Sequence, residues 1–330
     1  MTPAAAPSLR HRLEFGAFRL LDGVLGYLPW TTVQTLGEAA GLFFYLIDPR
    51  HRRVVRDNLR QADLGLDEAQ TRTLARTCFR HFGSLFLSLP RLRRASPEEI
   101  ERWIRVEGLE HYDAAKAEGR GFIQLTAHYG HWEAIGLIQS LRGRTVDGIG
   151  RELDNPLLEP TLREFRTRFG NRIILKAGAM RDTLKALKAG RGVAFLLDQD
   201  ALTTGVWVKF LGQWASTHAA AGSLAARSGL PILPVWSWPN GDGTFTVRFE
   251  PPFHVPVTGD QARDAWVATQ LMTSRLEEQI HRDPRWWFWM HRRFKTRPGE
   301  GNPLPAPLPP QEWVESVSYT HLTLPTKRIV

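Results

Sequence analysis

One cysteine, Cys78, stands in a chain of 330 residues. That excludes an internal disulfide framework and a cysteine-rich metal centre, and it fits a protein whose soluble mass faces a reducing compartment. Lysine is scarce too: 7 of the 43 basic residues are Lys, so Arg carries the positive charge. No apolar run reaches the roughly 18 uncharged residues a transmembrane helix needs, because Arg19, Asp22 and Glu38 interrupt the apolar N-terminal region. No short charged leader runs into a cleavage site, so a cleavable signal peptide is not expected. Ordinary apolar content (42%) and 10% aromatics exclude an acidic disordered chain, a collagen or a coiled coil. The length suits one large domain or two small ones and is ample for a real core.

What the chain has in excess is positive charge and tryptophan. Against 34 Asp+Glu stand 43 Lys+Arg, a formal charge of +9, and there are 12 Trp. The charge fits nucleic acid, a membrane surface or GC-rich coding alike, and the tryptophan load suggests a bilayer interface. Residues 316–330 (SVSYTHLTLPTKRIV) read differently from the rest. VSYTHLTLPT resembles the translation of a sequencing-library adapter, so a non-native extension behind a true end near Glu315 is expected. Lys327 and Arg328 belong to it, which lowers the trusted excess by two charges. A Pro-rich tail, 301–315, precedes it.

Residues 13–47 are rich in Leu, Phe and Gly. Leu20, Leu21, Val24, Leu25 and Leu28 fall at helical spacing, Pro29 breaks the run, and a second apolar run covers 39–47. The pattern predicts a helical hairpin, either lying in a membrane interface or packed as two core helices. Arg50, Arg52, Arg53, Arg56 and Arg60 follow, a cluster that an anionic leaflet would attract, or else a solvated helix face. A helix is expected over 67–94, at least as far as Pro90. Ser96-Pro97-Glu98-Glu99 reads as a helix start, with Ser as N-cap, Pro at N1 and Glu at N3. From about residue 105 strands alternate with helices. Strands are expected at 122–127, 144–150, 172–175, 192–197, 231–238 and 244–249, and helices at 133–141, 156–169, 180–189, 219–228 and 264–280. This alternation predicts an α/β fold, a mixed, mainly parallel sheet flanked by helices, behind an N-terminal apolar helical membrane-anchoring segment at 1–60. The main domain is expected to span 61–300.

The stretch that carries chemistry is Leu125-Thr126-Ala127-His128-Tyr129-Gly130-His131-Trp132-Glu133. An apolar strand ends at Ala127, and ligands of α/β sheets bind beyond the carboxyl ends of strands. On a continuous helix His128 and Glu133 would lie about 500° apart and share no face. With His128 still in the loop and Glu133 in the first helical turn, imidazole and carboxylate can meet. The carboxylate would then fix the tautomer and leave the other ring nitrogen as a base. Gly130 permits the tight turn. His128, His131 and Glu133 could instead chelate a metal, or the motif could be a plain strand-to-helix turn.

Several ordered pieces keep this motif company. They are Val106-Glu107-Gly108-Leu109-Glu110-His111 before Gly119-Arg120-Gly121; His128–Glu133; Arg151 with Asp154-Asn155-Pro156-Leu157; Leu197-Asp198-Gln199-Asp200 before Gly205-Val206-Trp207-Val208-Lys209-Phe210-Leu211-Gly212; Gly229-Leu230-Pro231-Ile232-Leu233-Pro234-Val235; and Trp287-Phe288-Trp289-Met290-His291-Arg292-Arg293-Phe294-Lys295-Thr296-Arg297. In this order, over residues 13–297, the chain resembles the bacterial lipid A biosynthesis (lauroyl/myristoyl) acyltransferases of the lysophospholipid acyltransferase superfamily. It departs from them at Lys209, where Pro is common, at His131, where Asn is common, and at Ala215-Ser216-Thr217-His218, where a Thr-Pro-like turn is usual.

The resemblance implies transfer of a fatty acyl group from acyl-carrier-protein thioester to a hydroxyl of a membrane glycolipid, on the cytoplasmic face of a bacterial inner membrane, with no cofactor and no metal. His128 would be the general base and Glu133 its orienting carboxylate. Backbone N–H groups near 130–132 would hold the oxyanion. Arg151 would bind a lipid phosphate or the donor, unless it pairs with Asp154 or Asp198. Asp198 and Asp200 would organise Arg151 or the head group. A mannolipid or lysophospholipid acceptor, or a non-catalytic membrane-binding protein, is the alternative. The Trp and Arg alternation at 286–297 would also suit stacking on bases, but no helix-turn-helix, RRM or zinc motif supports nucleic acid. A lipid phosphate surface is the expected home of those residues.

Overall fold

A computed structural model of the chain describes residues 7–175, 178–299 and 308–315. The suspected extension at 316–330 and residues 301–307 of the Pro-rich tail lie outside the described residues. Four helices come first: α1 (Leu9–Leu25), α2 (Trp30–Ile47), α3 (Pro49–Gln61) and α4 (Glu68–Arg94). Then follow α5 (Pro97–Trp103), β1 (Ile104–Glu107), α6 (Leu109–Ala117), β2 (Phe122–Thr126), α7 (Trp132–Leu141), β3 (Val146–Gly150), α8 (Glu159–Thr167), β4 (Arg172–Leu175), α9 (Ala179–Lys188) and β5 (Gly192–Leu196). The remainder is β6 (Val206–Phe210), β7 (Gln213–Thr217), α10 (Ala220–Ser228), β8 (Ile232–Pro239), β9 (Phe245–Phe249) and α11 (Gln261–Arg282).

Seven strands form one sheet in the order β1-β9-β8-β2-β5-β3-β4. Every neighbouring pair is parallel except β8 with β9, so β9 and β1 form a reversed edge. The expected α/β class and mainly parallel sheet are therefore present. β2 lies in the middle and all five of its residues are buried. Burial on both faces takes in even its polar residues, Gln124 and Thr126. β6 and β7 make a separate antiparallel hairpin.

The local start signals act as their residues dictate. Ser96 and Glu99 form a capping box at α5, and Asp67 and Gln70 form another at α4. α4 continues past Pro90 to Arg94. α2 and α4 approach closely along a glycine seam. A Cβ at Gly41 would sit 2.0 Å from the Phe79 carbonyl oxygen, and one at Gly83 would sit 2.3 Å from that of Gly37. Small residues at such spacing let two helix backbones touch. Buried Asp22 joins the hairpin to the same helix, accepting from Arg93 (2.6 Å) and Arg94 (2.5 Å).

No described helix is long and apolar enough to cross a membrane. One face of α2 (Trp30, Val33, Gly37, Gly41, Tyr45) is buried. The other leaves Leu36, Leu42, Phe43, Phe44, Leu46 and Ile47 exposed. The tryptophans are also internal. Trp30, Trp103, Trp207, Trp236, Trp266, Trp287 and Trp289 are buried, and no described Trp is exposed.

Candidate active site

β2 delivers His128 into the loop beyond its carboxyl end, and β5, paired with it in parallel, delivers Asp198 beside it. His128 Nδ1 lies 2.9 Å from Asp198 Oδ1, and the His128 backbone N–H donates to Asp198 Oδ2 at 2.9 Å. Trp287 Nε1 donates to Oδ2 as well, at 2.9 Å. Asp198 is fully buried. Burial alone would push its carboxyl up. The His128 imidazole and the Trp287 N–H outweigh that and hold it well below the usual carboxylate range. Burial likewise opposes a charged His128, but the Asp198 carboxylate overcomes it and raises the imidazole above its ordinary value. With Nδ1 bound to a carboxylate, Nε2 is the nitrogen left for chemistry.

The loop itself is fixed from two sides. Gly130 adopts φ +54°, and a Cβ there would lie 1.7 Å from the Ser237 carbonyl oxygen of β8, so no other residue fits. From the other side, residues 284–297 form a strap that pairs with the loop in an antiparallel bridge between Tyr129 and Trp287. The Gly130 N–H donates to the Trp286 carbonyl at 2.7 Å, and the Phe288 N–H donates to the His128 carbonyl at 2.8 Å.

The strap is anchored residue by residue. His291 Nε2 lies 2.7 Å from the Asp198 carbonyl oxygen. Arg293 is fully buried and donates to the Ser216 carbonyl (2.6 Å) and to Thr217 Oγ1 (2.5 Å), with its guanidinium 5.1 Å from the centre of the Phe210 ring. Burial lowers its pKa to about 10. The turn at 215–218, where this chain departs from its resemblance, is therefore the cradle of a buried arginine. Asp200 accepts from the Thr296 N–H (3.0 Å), the Thr296 hydroxyl (2.8 Å) and the Leu202 N–H (2.8 Å). It ties the strap down and does not line the cavity at His128. Trp287, Trp289 and Arg293 are core residues, so these three do not face lipid or bases.

Glu133 sits in the first turn of α7 as expected, but His128 is not its partner. It is paired with Arg166 of α8, whose Nε lies 3.0 Å from Glu133 Oε2, and it also accepts from Trp132 Nε1 at 3.2 Å. The carboxylate bonded to the imidazole is Asp198. The sequence allowed either, because contact between two loops on neighbouring strands leaves no spacing signal. Burial opposes ionisation of Glu133, and Arg166 more than compensates, lowering its pKa. The negative charge still reaches His128 through space and adds to the raising of its pKa.

His131 is fully buried. Its Nδ1 accepts from the Ala134 N–H (3.3 Å), capping α7, and its Nε2 lies 3.4 Å from Ser88 Oγ. Burial lowers its pKa to about 4. Among the described residues no group of three or more His, Cys, Asp or Glu side chains converges as a metal site. Cys78 is buried beneath the strap, and burial pushes its thiol up to about 12.

A cavity of about 870 Å³ opens in front of this pair. His128, Trp132, Glu133 and Arg166 line one end, and Ile135, Ile149, Leu162 and Phe195 contribute apolar wall. Its volume is that of a pocket for a drug-sized or larger ligand. Arg151 reaches the lining too, but its exposed guanidinium rests 3.1 Å from Asp154. Arg166, a cavity arginine beside Glu133, went unremarked in the sequence, where nothing sets it apart from its many neighbours of the same type.

A mainly parallel sheet that presents a His–Asp pair to a large, partly apolar cavity beyond its strand ends has the layout of an α/β enzyme. The family model for the bacterial lipid A biosynthesis acyltransferases matches residues 6–296, and the chain belongs to that family. It is 28% identical to the lipid A biosynthesis lauroyltransferase of Escherichia coli, over 84% of this chain and 89% of that one. It is 26% identical to a lipid A biosynthesis acyltransferase of Haemophilus influenzae, over 84% and 88%. A phosphatidylinositol mannoside acyltransferase of Mycobacterium tuberculosis is 26% identical over 55% of this chain and 57% of that one. The chain is thus an acyltransferase of the lipid A biosynthesis type.

Proposed function

We propose that this acyltransferase moves a fatty acyl group from an acyl-carrier-protein thioester to a hydroxyl of a lipid A precursor or a similar membrane glycolipid, with His128 as general base. The observation that supports it most is the imidazole of His128, bound through Nδ1 to buried Asp198 while the ring lines the cavity. The acceptor hydroxyl gives its proton to His128 Nε2 as its oxygen attacks the thioester carbonyl. The carbonyl oxygen becomes an oxyanion, and Asp198 stabilises the imidazolium. The Gly130 N–H is occupied by Trp286 and the Ala134 N–H by His131, so the donors suited to the oxyanion are the N–H groups of Trp132 and Glu133. Collapse expels the thiolate, which takes the proton back from Nε2. The ester bond forms and the thioester bond breaks, with no covalent enzyme intermediate.

In this reading Glu133 and Arg166 form a charged pair on the cavity wall that adds to the field on His128, and Arg151 at the rim meets a phosphate of the acceptor or the donor. Asp198 takes the orienting role first given to Glu133, and Asp200 holds the strap. The exposed apolar face of α2 rests on the membrane interface, consistent with a peripheral enzyme on the cytoplasmic face of the inner membrane. Residues 1–60 then form the membrane-associated segment and 61–300 the acyltransferase domain.

Two measurements test this. His128→Ala should abolish transfer from acyl-carrier protein while circular dichroism stays unchanged; full activity of the His128→Ala protein refutes the mechanism. Mass spectrometry of lipids from a deletion strain should show one class of glycolipid short of one acyl chain. An unchanged glycolipid profile refutes the acceptor class.

A further inference from the structure

A second concave site lies away from the His128 cavity. α3 and the outer edge of the strap enclose a groove of about 540 Å³, lined by Pro49, Arg50, Arg53, Asp57, Arg292 and Lys295 among others. The strap contributes its exposed residues here, while its buried ones hold Asp198. A smaller hollow of about 290 Å³ shares Pro49, Arg53 and Asp57 with it and continues along α3.

The four cations of the groove differ from their neighbours. Arg52 donates to the Tyr45 and Leu46 carbonyls, and Arg56 and Arg60 both hold Glu68. Arg50, Arg53, Arg292 and Lys295 have no side-chain hydrogen bond or ion pair among the described residues, and all are exposed. The single carboxylate on the wall, Asp57, lies 3.8 Å from Arg60. Four like charges gathered in a concavity repel one another, and a bound anion relieves that repulsion. Guanidinium groups suit phosphate oxygens in particular.

What stands next to the groove indicates which anion. α2 ends at Ile47, and Pro49 and Arg50 begin α3 and the groove wall. On the last turns of α2, Phe43, Phe44, Leu46 and Ile47 are each more than half exposed. A free anion has no use for such a surface, whereas a lipid places its phosphate and its chains side by side. We propose that the groove seats the phosphate of an anionic glycerophospholipid whose acyl chains cover the end of α2. This rests on the membrane association proposed above, but not on the chemistry at His128.

The test uses the full chain and vesicles of phosphatidylcholine with or without phosphatidylglycerol. Arg53→Gln/Lys295→Gln should weaken binding to the phosphatidylglycerol vesicles about 30-fold, two charges at about 1 kcal/mol each. The charge-matched pair Lys188→Gln/Arg227→Gln, on other elements, should change it by no more than about threefold, since scattered charges sense the surface only weakly. Dihexanoyl phosphatidylglycerol should bind the wild-type chain one-to-one and the groove variant not at all, with circular dichroism of both alike. Equal weakening by the two pairs would mean diffuse attraction and overturns the proposal. So does inorganic phosphate binding as tightly as the short-chain lipid, or a groove variant that keeps vesicle binding and loses only an acidic carrier protein. The His128→Ala protein should bind like wild type, so failure of the acyl-transfer mechanism leaves this result standing.

Discussion

The two ends of the described chain carry the same vocabulary, aromatic and apolar residues interleaved with Arg, and use it in opposite ways. In the strap at 284–297, Trp287, Trp289 and Arg293 are buried, and each donates to a named partner. In the hairpin of α1 and α2, Leu20, Tyr27, Phe43, Phe44 and Leu46 stand more than half exposed. The strap acts inward, holding Asp198 and the His128 loop. The hairpin acts outward, offering an apolar face beside the unpaired cations of α3 and of the strap's outer edge. Composition alone does not separate a wall from a docking face; what separates them is whether the guanidinium finds carbonyl oxygens or open space.

The contrast can be broken most severely at the point where the strap meets the chemistry. Asp198→Asn should lower kcat about 10³- to 10⁴-fold, by analogy with the carboxylate of a Ser-His-Asp triad. It should also move the acid limb of the pH–rate profile. His128 must be neutral to act as a base, and its pKa is raised in the wild type, so activity rises as pH climbs through that raised value. Removing the carboxylate lowers the midpoint; an unmoved limb would show that Asp198 does not govern His128.

One step outward, Arg293→Met should destabilise the fold by about 3 kcal/mol, because the Ser216 carbonyl and Thr217 hydroxyl lose a buried charged donor. Arg293→Lys should rescue little of this, since an ammonium cannot reproduce the fork. Urea denaturation measures both, and a fully stable Arg293→Met protein would remove the strap from the core side of the comparison. On the hairpin side, Gly41→Ala should cost about 1–3 kcal/mol by overpacking against Phe79. The smallest effect belongs to Phe43→Ser/Phe44→Ser, expected within about 0.5 kcal/mol per site by the same denaturation, yet the pair should lose co-sedimentation with vesicles. A large loss of stability there would mean that these rings pack inward after all.

Much of the fold is legible because its signals are local. The capping box at Ser96, the apolar run of β2 and the strand–helix alternation each fix an element through neighbouring residues. β1 and the β6–β7 hairpin escape such reading. β1 is four residues long, and the Trp and Lys of β6 face a partner that only the hairpin supplies. At the site, His128, Glu133 and Asp198 stand out in sequence, but their pairing does not. His128 is five positions from Glu133 and seventy from Asp198, and the parallel pairing of β2 with β5 decides between them. Arg293 and Arg292 are adjacent and alike on paper, and one is core while the other is exposed. The inward one is fixed by the Ser216 carbonyl and the Thr217 hydroxyl, far from it in the chain.

The glycine seam between α2 and α4 has a bearing on more than stability. With backbones in contact at Gly37, Gly41 and Gly83, and Asp22 clamped by two arginines, the hairpin has no hinge against the enzyme body. It is a fixed mount rather than a tether. Any flat surface that meets the open face of α2 therefore sets the angle at which the His128 cavity faces that surface, and the protein cannot swing to search for its acceptor. The acceptor must come to the opening by moving within the plane of that surface.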